Sequence, residues 1–329
     1  MSHRNILIVL WFSLVLSVFF SLTTGPVTLD LKGVFDDSVA SQVFWQLRLP
    51  RLLLTLLAGA LLAITGAAAQ SLFRNPLADP GLIGISAGAA LSAGVMMVLL
   101  GSSVYLLGGL MLPLAAFTGG VLTTLLVARL SVTLQGVSVT NMLLCGIAIN
   151  AIALAGLGGL KYLAADQQLR QLSFWLLGSL SHSRWQDLLV LLIAAVPVLW
   201  MLPRYGQKLN ILLLGEQQAG LLGLDVFRGT LVMFLLISLG FGAVVALTGI
   251  IGFVGLVVPH LVRLLTGPDN RRLLPLSGLL GAVLLTIADI VSRLLVSPAE
   301  LPVGIVTALV GGPFFLLLLT RRKRELRVC

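Results

Sequence analysis

Charge is what this sequence has least of. Of 329 residues, 10% are charged and 58% are hydrophobic, where a soluble domain carries about 25% charged residues. A large buried core does not explain the shortfall, because a soluble surface would still need its charges. A soluble globular chain is therefore excluded, which leaves a polytopic membrane protein. Cysteine is nearly absent: Cys145 in an apolar run and Cys329 at the last position exclude a disulfide scaffold or a cysteine metal site. No H-E-x-x-H and no paired mid-membrane aspartates occur, so nothing points to an intramembrane enzyme, and no metal or cofactor is expected. No G-x-x-x-x-G-K-[ST] phosphate loop occurs, so any energy from ATP must come through another chain. A proton-driven carrier usually holds carboxylates at mid-depth despite a cost of about 2.5–3.5 kcal/mol each. Here the apolar runs carry a single carboxylate, Asp289, near an outer end, and His260 near an inner one, with no relay of carboxylates at mid-depth.

What is there is a series of apolar runs. A helix needs about 20 residues to cross about 30 Å of hydrocarbon, and backbone at that depth must satisfy itself, which favours helices. Ten spans are expected, over 6–22, 52–70, 82–100, 106–128, 139–163, 188–202, 230–247, 250–265, 274–295 and 303–319. The eighth is short and carries Pro259 and His260. The first could be taken for a signal peptide, but Thr23-Thr24-Gly25-Pro26 follows it rather than an A-x-A site, so it reads as a retained helix. Residues 27–45 are polar enough to lie outside the membrane. In 166–185 the core Phe174-Trp175-Leu176-Leu177 is too short to span, which suggests a half-helix or an interfacial helix.

The net charge of +9 raises the question of nucleic acid, but the basic residues fall at the ends of apolar runs, not on one face. With both termini cytoplasmic, Lys32, Arg48, Arg51, Lys161, Arg170, Arg184 and Arg293 face outward. The other fourteen of the 21 face inward, the expected direction. Arg48 and Arg51 flank Pro50, and Arg293 lies one turn past Asp289. They read either as interfacial anchors with a local Asp289–Arg293 pair, or as an outer basic rim for an acidic partner or an anionic substrate.

The loop 204–228 is too polar to cross a bilayer and too apolar for a solvated tether. Its centre is Gly215, Glu216, Gln217, Gln218, Ala219, Gly220, Leu221, Leu222 and Gly223. Two short helices broken at glycine fit this pattern. Their greasy faces suit either a partner's docking surface or lipid headgroups. Glycines such as those in Gly84-Ile85-Ser86-Ala87-Gly88, and Gly249, Gly252 and Gly255, suggest close helix packing.

Several longer motifs run in register. Gln46-Leu47-Arg48-Leu49-Pro50-Arg51 leads to Ala58-Gly59-Ala60 and Ile64-Thr65-Gly66-Ala67-Ala68-Ala69-Gln70. Then come Phe73-Arg74-Asn75-Pro76-Leu77-Ala78-Asp79-Pro80-Gly81, Leu213-Leu214-Gly215-Glu216, Gly252-Phe253-Val254-Gly255 with Pro259-His260, and Glu300-Leu301-Pro302-Val303-Gly304. From about residue 40 to 320 the sequence resembles the FecCD-type permeases, membrane subunits of ABC importers for ferric siderophores, haem and vitamin B12.

The resemblance implies an all-α membrane protein, a single permease domain over 1–329 built as a ten-helix bundle like the vitamin B12 permease. It implies a homodimer in the bacterial inner membrane, two copies of a cytoplasmic ATPase and a periplasmic binding protein, with no enzymatic activity in this chain. The segment Gly215 to Gly223 then stands as the ATPase-coupling element, with Glu216 as its polar contact. Arg48, Arg51 and Arg293 match arginines that meet glutamates of the binding protein in the vitamin B12 permease. The segment Arg170 to Leu180 is similar to haem-type members, which places Arg170 on the substrate path, either against a haem propionate or against a lipid headgroup. The resulting expectation is an importer permease for haem or a ferric siderophore. The alternatives are a vitamin B12 permease or, from another class, a stand-alone secondary carrier.

Overall fold

In the computed structural model, residues 3–25, 39–101, 109–133 and 136–325 are described. Lys32, Arg327, Cys329 and the first residues of the expected fourth span lie outside them. Among the described residues the regular structure is helical apart from a two-residue antiparallel ladder, Val132–Thr133 against Gly136–Val137.

Every expected span contains a helix. In order they are α1 His3–Thr23, the short α2 Val39–Gln42 running through Arg48 into α3 Leu49–Leu72, α4 Ile85–Val95 extended to Leu100, and α5 Met111–Leu130. Then follow α6 Val139–Leu163, α7 Asp166–Leu176, α8 Trp185–Arg204, α9 Gly206–Leu212 and α10 Glu216–Leu221. Last come α11 Val226–Thr248, α12 Val254–Thr266, α13 Asn270–Leu294 and α14 Val303–Glu325. Among the described residues seven helices are long and apolar enough to cross a membrane, and Ile85–Leu100, Val254–Thr266 and Val303–Leu317 are shorter apolar helices. The mixed stretch after α6 is the short helix α7, as its composition suggested.

Sequence chemistry sets the ends of these elements. Pro50 sits in the first turn of α3, where a missing N–H costs nothing. Asp225 caps α11 by accepting from the Arg228 amide at 2.9 Å, and Asp269 caps α13 by accepting from the Arg271 amide at 3.0 Å. The eighth span is shorter than expected because residues 250–253 are not helical. Phe253 takes a left-handed backbone (φ 68°), and Gly311 leaves room for its ring, since a Cβ there would strike it.

The centre of the bundle is α3, most of whose residues are buried. Its most extensive partner is α13. Lipid offers no hydrophobic drive between helices, so close contact relies on small residues. A Cβ on Gly59 of α3 would collide with the carbonyl oxygen of Gly281 of α13, and a Cβ on Gly281 with that of Gly59. Gly66 meets Gly255 of α12, and Gly88 of α4 meets Gly119 of α5, in the same way. At the rim, α6 has only 17% of its apolar window buried and leaves Leu144, Ile147, Ile152 and Leu154 exposed.

Candidate functional site

The bundle has two chemically distinct ends. At one, the start of α3 meets the end of α13. The Arg51 guanidinium donates from Nε (3.0 Å) and Nη2 (2.8 Å) to Asp289 Oδ1, and from Nη1 to both oxygens of Glu300 (3.0 and 2.9 Å). Arg293 Nε lies 3.2 Å from Asp289 Oδ2, and its Nη2 donates to Ser21 Oγ of α1 at 2.9 Å. Arg48 donates to the Leu22 carbonyl. The loop holding Glu300 folds back over α13 through Leu301 N–H to Ser292 O (3.1 Å).

The three arginines named from the sequence therefore do stand together, but they are enclosed. Arg48 and Arg293 are buried, and the Asp289 side chain is 1% exposed. Only the Arg51–Glu300 edge reaches the surface, with side chains 12% and 29% exposed. The i, i+4 pair Asp289–Arg293 exists as one member of a larger network. Within it Asp289 is indispensable, because removing that partner leaves buried Arg293 as an uncompensated charge. Glu300 and its tie to Arg51 were missed in the sequence. No local signal exists for a contact 249 positions apart.

At the other end, Arg204 to Arg228 forms two short helices, as the glycines suggested. Gly215 (φ 109°) separates α9 from α10, and Gly223 (φ 81°) ends the second turn, both in backbone regions that side chains resist. Ala219 is buried beneath, while Leu221 is 89% exposed and Leu222, Leu213 and Leu214 are exposed beside it. Glu216 pairs with Arg74 at 3.4 Å, tying the loop to the end of α3. Gln217 and Gln218 lie between Glu216 and Ala219 on α10, and nothing fills the space beside Gly220.

A polar latch holds α9 to the start of α13. Asn210 Nδ2 donates to Asp269 Oδ1 at 2.7 Å, Asn210 Oδ1 accepts from the Asn270 amide at 2.9 Å, and Ser71 Oγ of α3 meets Asn270 Oδ1 at 2.6 Å. Hydrogen bonds from Arg271 and then from Asn210 hold the Asp269 carboxyl well below the usual carboxylate range.

Arg170 is exposed on α7 and lines a shallow depression with Asp166, Gln167, Gln171 and Phe174 of the same helix. Arg48, Arg51 and Arg293 are not among the residues that line it. Among the described residues, no group of three or more metal-ligating side chains occurs.

A profile of the FecCD transport family matches residues 13–321, nearly the whole chain. The chain belongs to the FecCD transport family. This FecCD permease is 42% identical to the hemin transport system permease HmuU of Yersinia pestis over 97% of both chains. It is also 42% identical to the vitamin B12 import system permease BtuC of Vibrio cholerae, covering 87% of this chain and 85% of that one. Its fold matches a solved metal-chelate type ABC transporter in an inward-facing conformation, with TM-score 0.87 and 34% identity over 97% of this chain and all of that one. The FecCD permease is thus a multi-pass membrane permease of the ABC importer class, with a bundle like that of its vitamin B12 relatives.

Proposed function

We propose that this FecCD permease works as a homodimer in the bacterial inner membrane and imports an iron complex, haem in the first instance, by alternating access. Two copies of a separate cytoplasmic ATPase bind the Gly215–Gly223 end, which puts both termini in the cytoplasm. A periplasmic binding protein docks at the arginine end. The observation that carries this reading is α10, a rigid turn between two positive-φ glycines that offers Leu221 and Leu222 to a partner. Exposed apolar residues of that kind mark an interaction surface, and the full-length likeness to a hemin permease supports the substrate class.

The exposed face of α6 suits a second copy of the chain. Arg51 is the docking contact of choice, since its guanidinium is partnered by Glu300, a carboxylate that reaches the surface. An acidic group of the binding protein takes the place of Glu300, and Arg48 and Arg293 add positive potential behind it. Arg170, on the exposed face of α7, meets a carboxylate of the cargo.

The test is uptake into proteoliposomes holding the permease, its ATPase and its binding protein, with haem, a ferric siderophore and cobalamin offered in parallel. ATP-dependent accumulation of haem is the expected result. Preferred accumulation of cobalamin would move the substrate to the vitamin B12 class. Accumulation by the permease alone on a proton gradient would overturn the importer reading and favour a stand-alone carrier.

A further inference from the structure

We propose that a crevice at the loop end of the bundle is a binding site for one anionic phospholipid. It lies between α1, α3, α8 and α13 and has a volume of about 520 Å³, within the usual ligand-site range of ~300–1,000 Å³. Leu7 and Trp11 of α1, Leu199 of α8 and Leu279 of α13 form its walls. Room exists because Ala60, Gly278 and Ala282 carry little or no side chain where four helices converge. The nearest atom to a Cβ built on Gly278 is the Ala60 carbonyl oxygen at 3.8 Å, so the space beyond is open.

Charge decides what enters. The mouth is formed by Arg271 and Arg272, both exposed, in the first turn of α13. Arg271 shares its guanidinium with Asp269 (Nη2 to Oδ2, 2.9 Å), whereas Arg272 has no ion-pair or hydrogen-bond partner among the described residues. Cations in a first turn oppose the helix dipole; the N-cap Asp269 offsets Arg271, and no acidic residue within the first turn itself offsets Arg272. An anionic headgroup is favoured by both guanidinium groups and by the dipole.

Length fits as well. From Arg272 to Ala282 the helix rises about 15 Å at 1.5 Å per residue, half of a ~30 Å hydrocarbon core. A mouth of arginines above an apolar trough one leaflet deep matches a lipid with a charged head and an acyl tail, and basic pockets between spanning helices are suited to such heads. Of the proposed function, only the orientation bears on this site, by choosing the leaflet. The inference otherwise stands apart from the docking and substrate readings.

The test is retention of dioleoylphosphatidylglycerol against dioleoylphosphatidylcholine by the purified full-length permease, measured by native mass spectrometry. The phosphatidylglycerol should be retained preferentially, at one tight site per chain. Arg272→Ala should weaken that retention about fivefold, which is ~1 kcal/mol for one basic residue at a lipid head. Arg271→Ala with Arg272→Ala should abolish the preference, and Gly278→Leu should block both lipids from the tight site. Arg129→Ala, at the exposed end of α5, should change nothing. Equal retention of the two lipids would reduce the site to ordinary lipid contact and overturn the proposal. So would an equal loss in Arg129→Ala, or full retention in the double arginine variant. If Gly278→Leu fails to fold, the arginine variants alone decide.

Discussion

Arg51 and Asp289 stand 238 positions apart in the sequence and 2.8 Å apart in the fold. Their ion pair closes the arginine end of the bundle by joining its two most extensively packed helices, and it recruits Arg293 and Glu300 into one network. Asp289→Ala is expected to cost about 3–5 kcal/mol, the range for breaking a buried pair, because buried Arg293 then loses its carboxylate and Arg51 keeps only Glu300. Glu300→Gln should cost less than 1 kcal/mol, since that carboxylate is half-exposed. Thermal unfolding of both variants in detergent checks the contrast.

The same geometry gives Glu300 a competing role in docking. If a binding-protein carboxylate displaces it from Arg51, Glu300→Gln should tighten binding-protein affinity severalfold, and Arg51→Ala should weaken it by tenfold or more. Surface plasmon resonance on nanodisc-embedded permease reads both changes. Unaltered affinity in Arg51→Ala removes the docking assignment, whereas an effect of Arg51→Ala with none from Glu300→Gln removes only the competition.

At the opposite end, Leu221 contacts solvent over most of its surface. Leu221→Glu should leave thermal stability within about 0.5 kcal/mol, as for most surface changes, while ATPase subunits no longer co-purify. A bulky replacement of Gly220 also finds open space, so it should fold and yet uncouple ATP hydrolysis from uptake. Unchanged uptake would remove the coupling role.

Close helix contact predicts a different kind of loss. Gly59→Leu and Gly281→Leu both drive a side chain into a neighbouring carbonyl, and overpacking of that kind costs about 1–3 kcal/mol or more. Gly220→Leu serves as the tolerated control in the same unfolding assay.

The latch at Asp269 predicts a pH dependence. Its carboxyl is held below the ordinary value of about 3.9, so its contribution is fully present above that pH. The contribution is lost as pH falls through the lower value of the folded state. Asp269→Asn lacks the pairing at every pH. The difference in unfolding temperature between wild type and this variant should be constant from pH 7 to 5 and shrink below pH 4. It should be small throughout, because the group lies at the surface, where solvent screens the pair.

Composition and hydropathy alone determined that this chain crosses a membrane many times, where its helices run, and that residues 204–228 fold as two turns broken at glycine. Those features depend on neighbours in the chain: apolar content over 20 residues, basic residues at run ends, and backbone regions open to glycine. Family membership was legible for a related reason, since its motifs are contiguous. Only the tertiary structure decided that Arg51 is shared between Asp289 and Glu300, that Glu216 reaches Arg74, and that Arg271 and Arg272 guard an apolar crevice. Each joins residues carried by different helices, and in a bundle such meetings are set by helix rotation and crossing. That geometry comes from small-residue contacts such as Gly59 on Gly281, which no single stretch of sequence encodes.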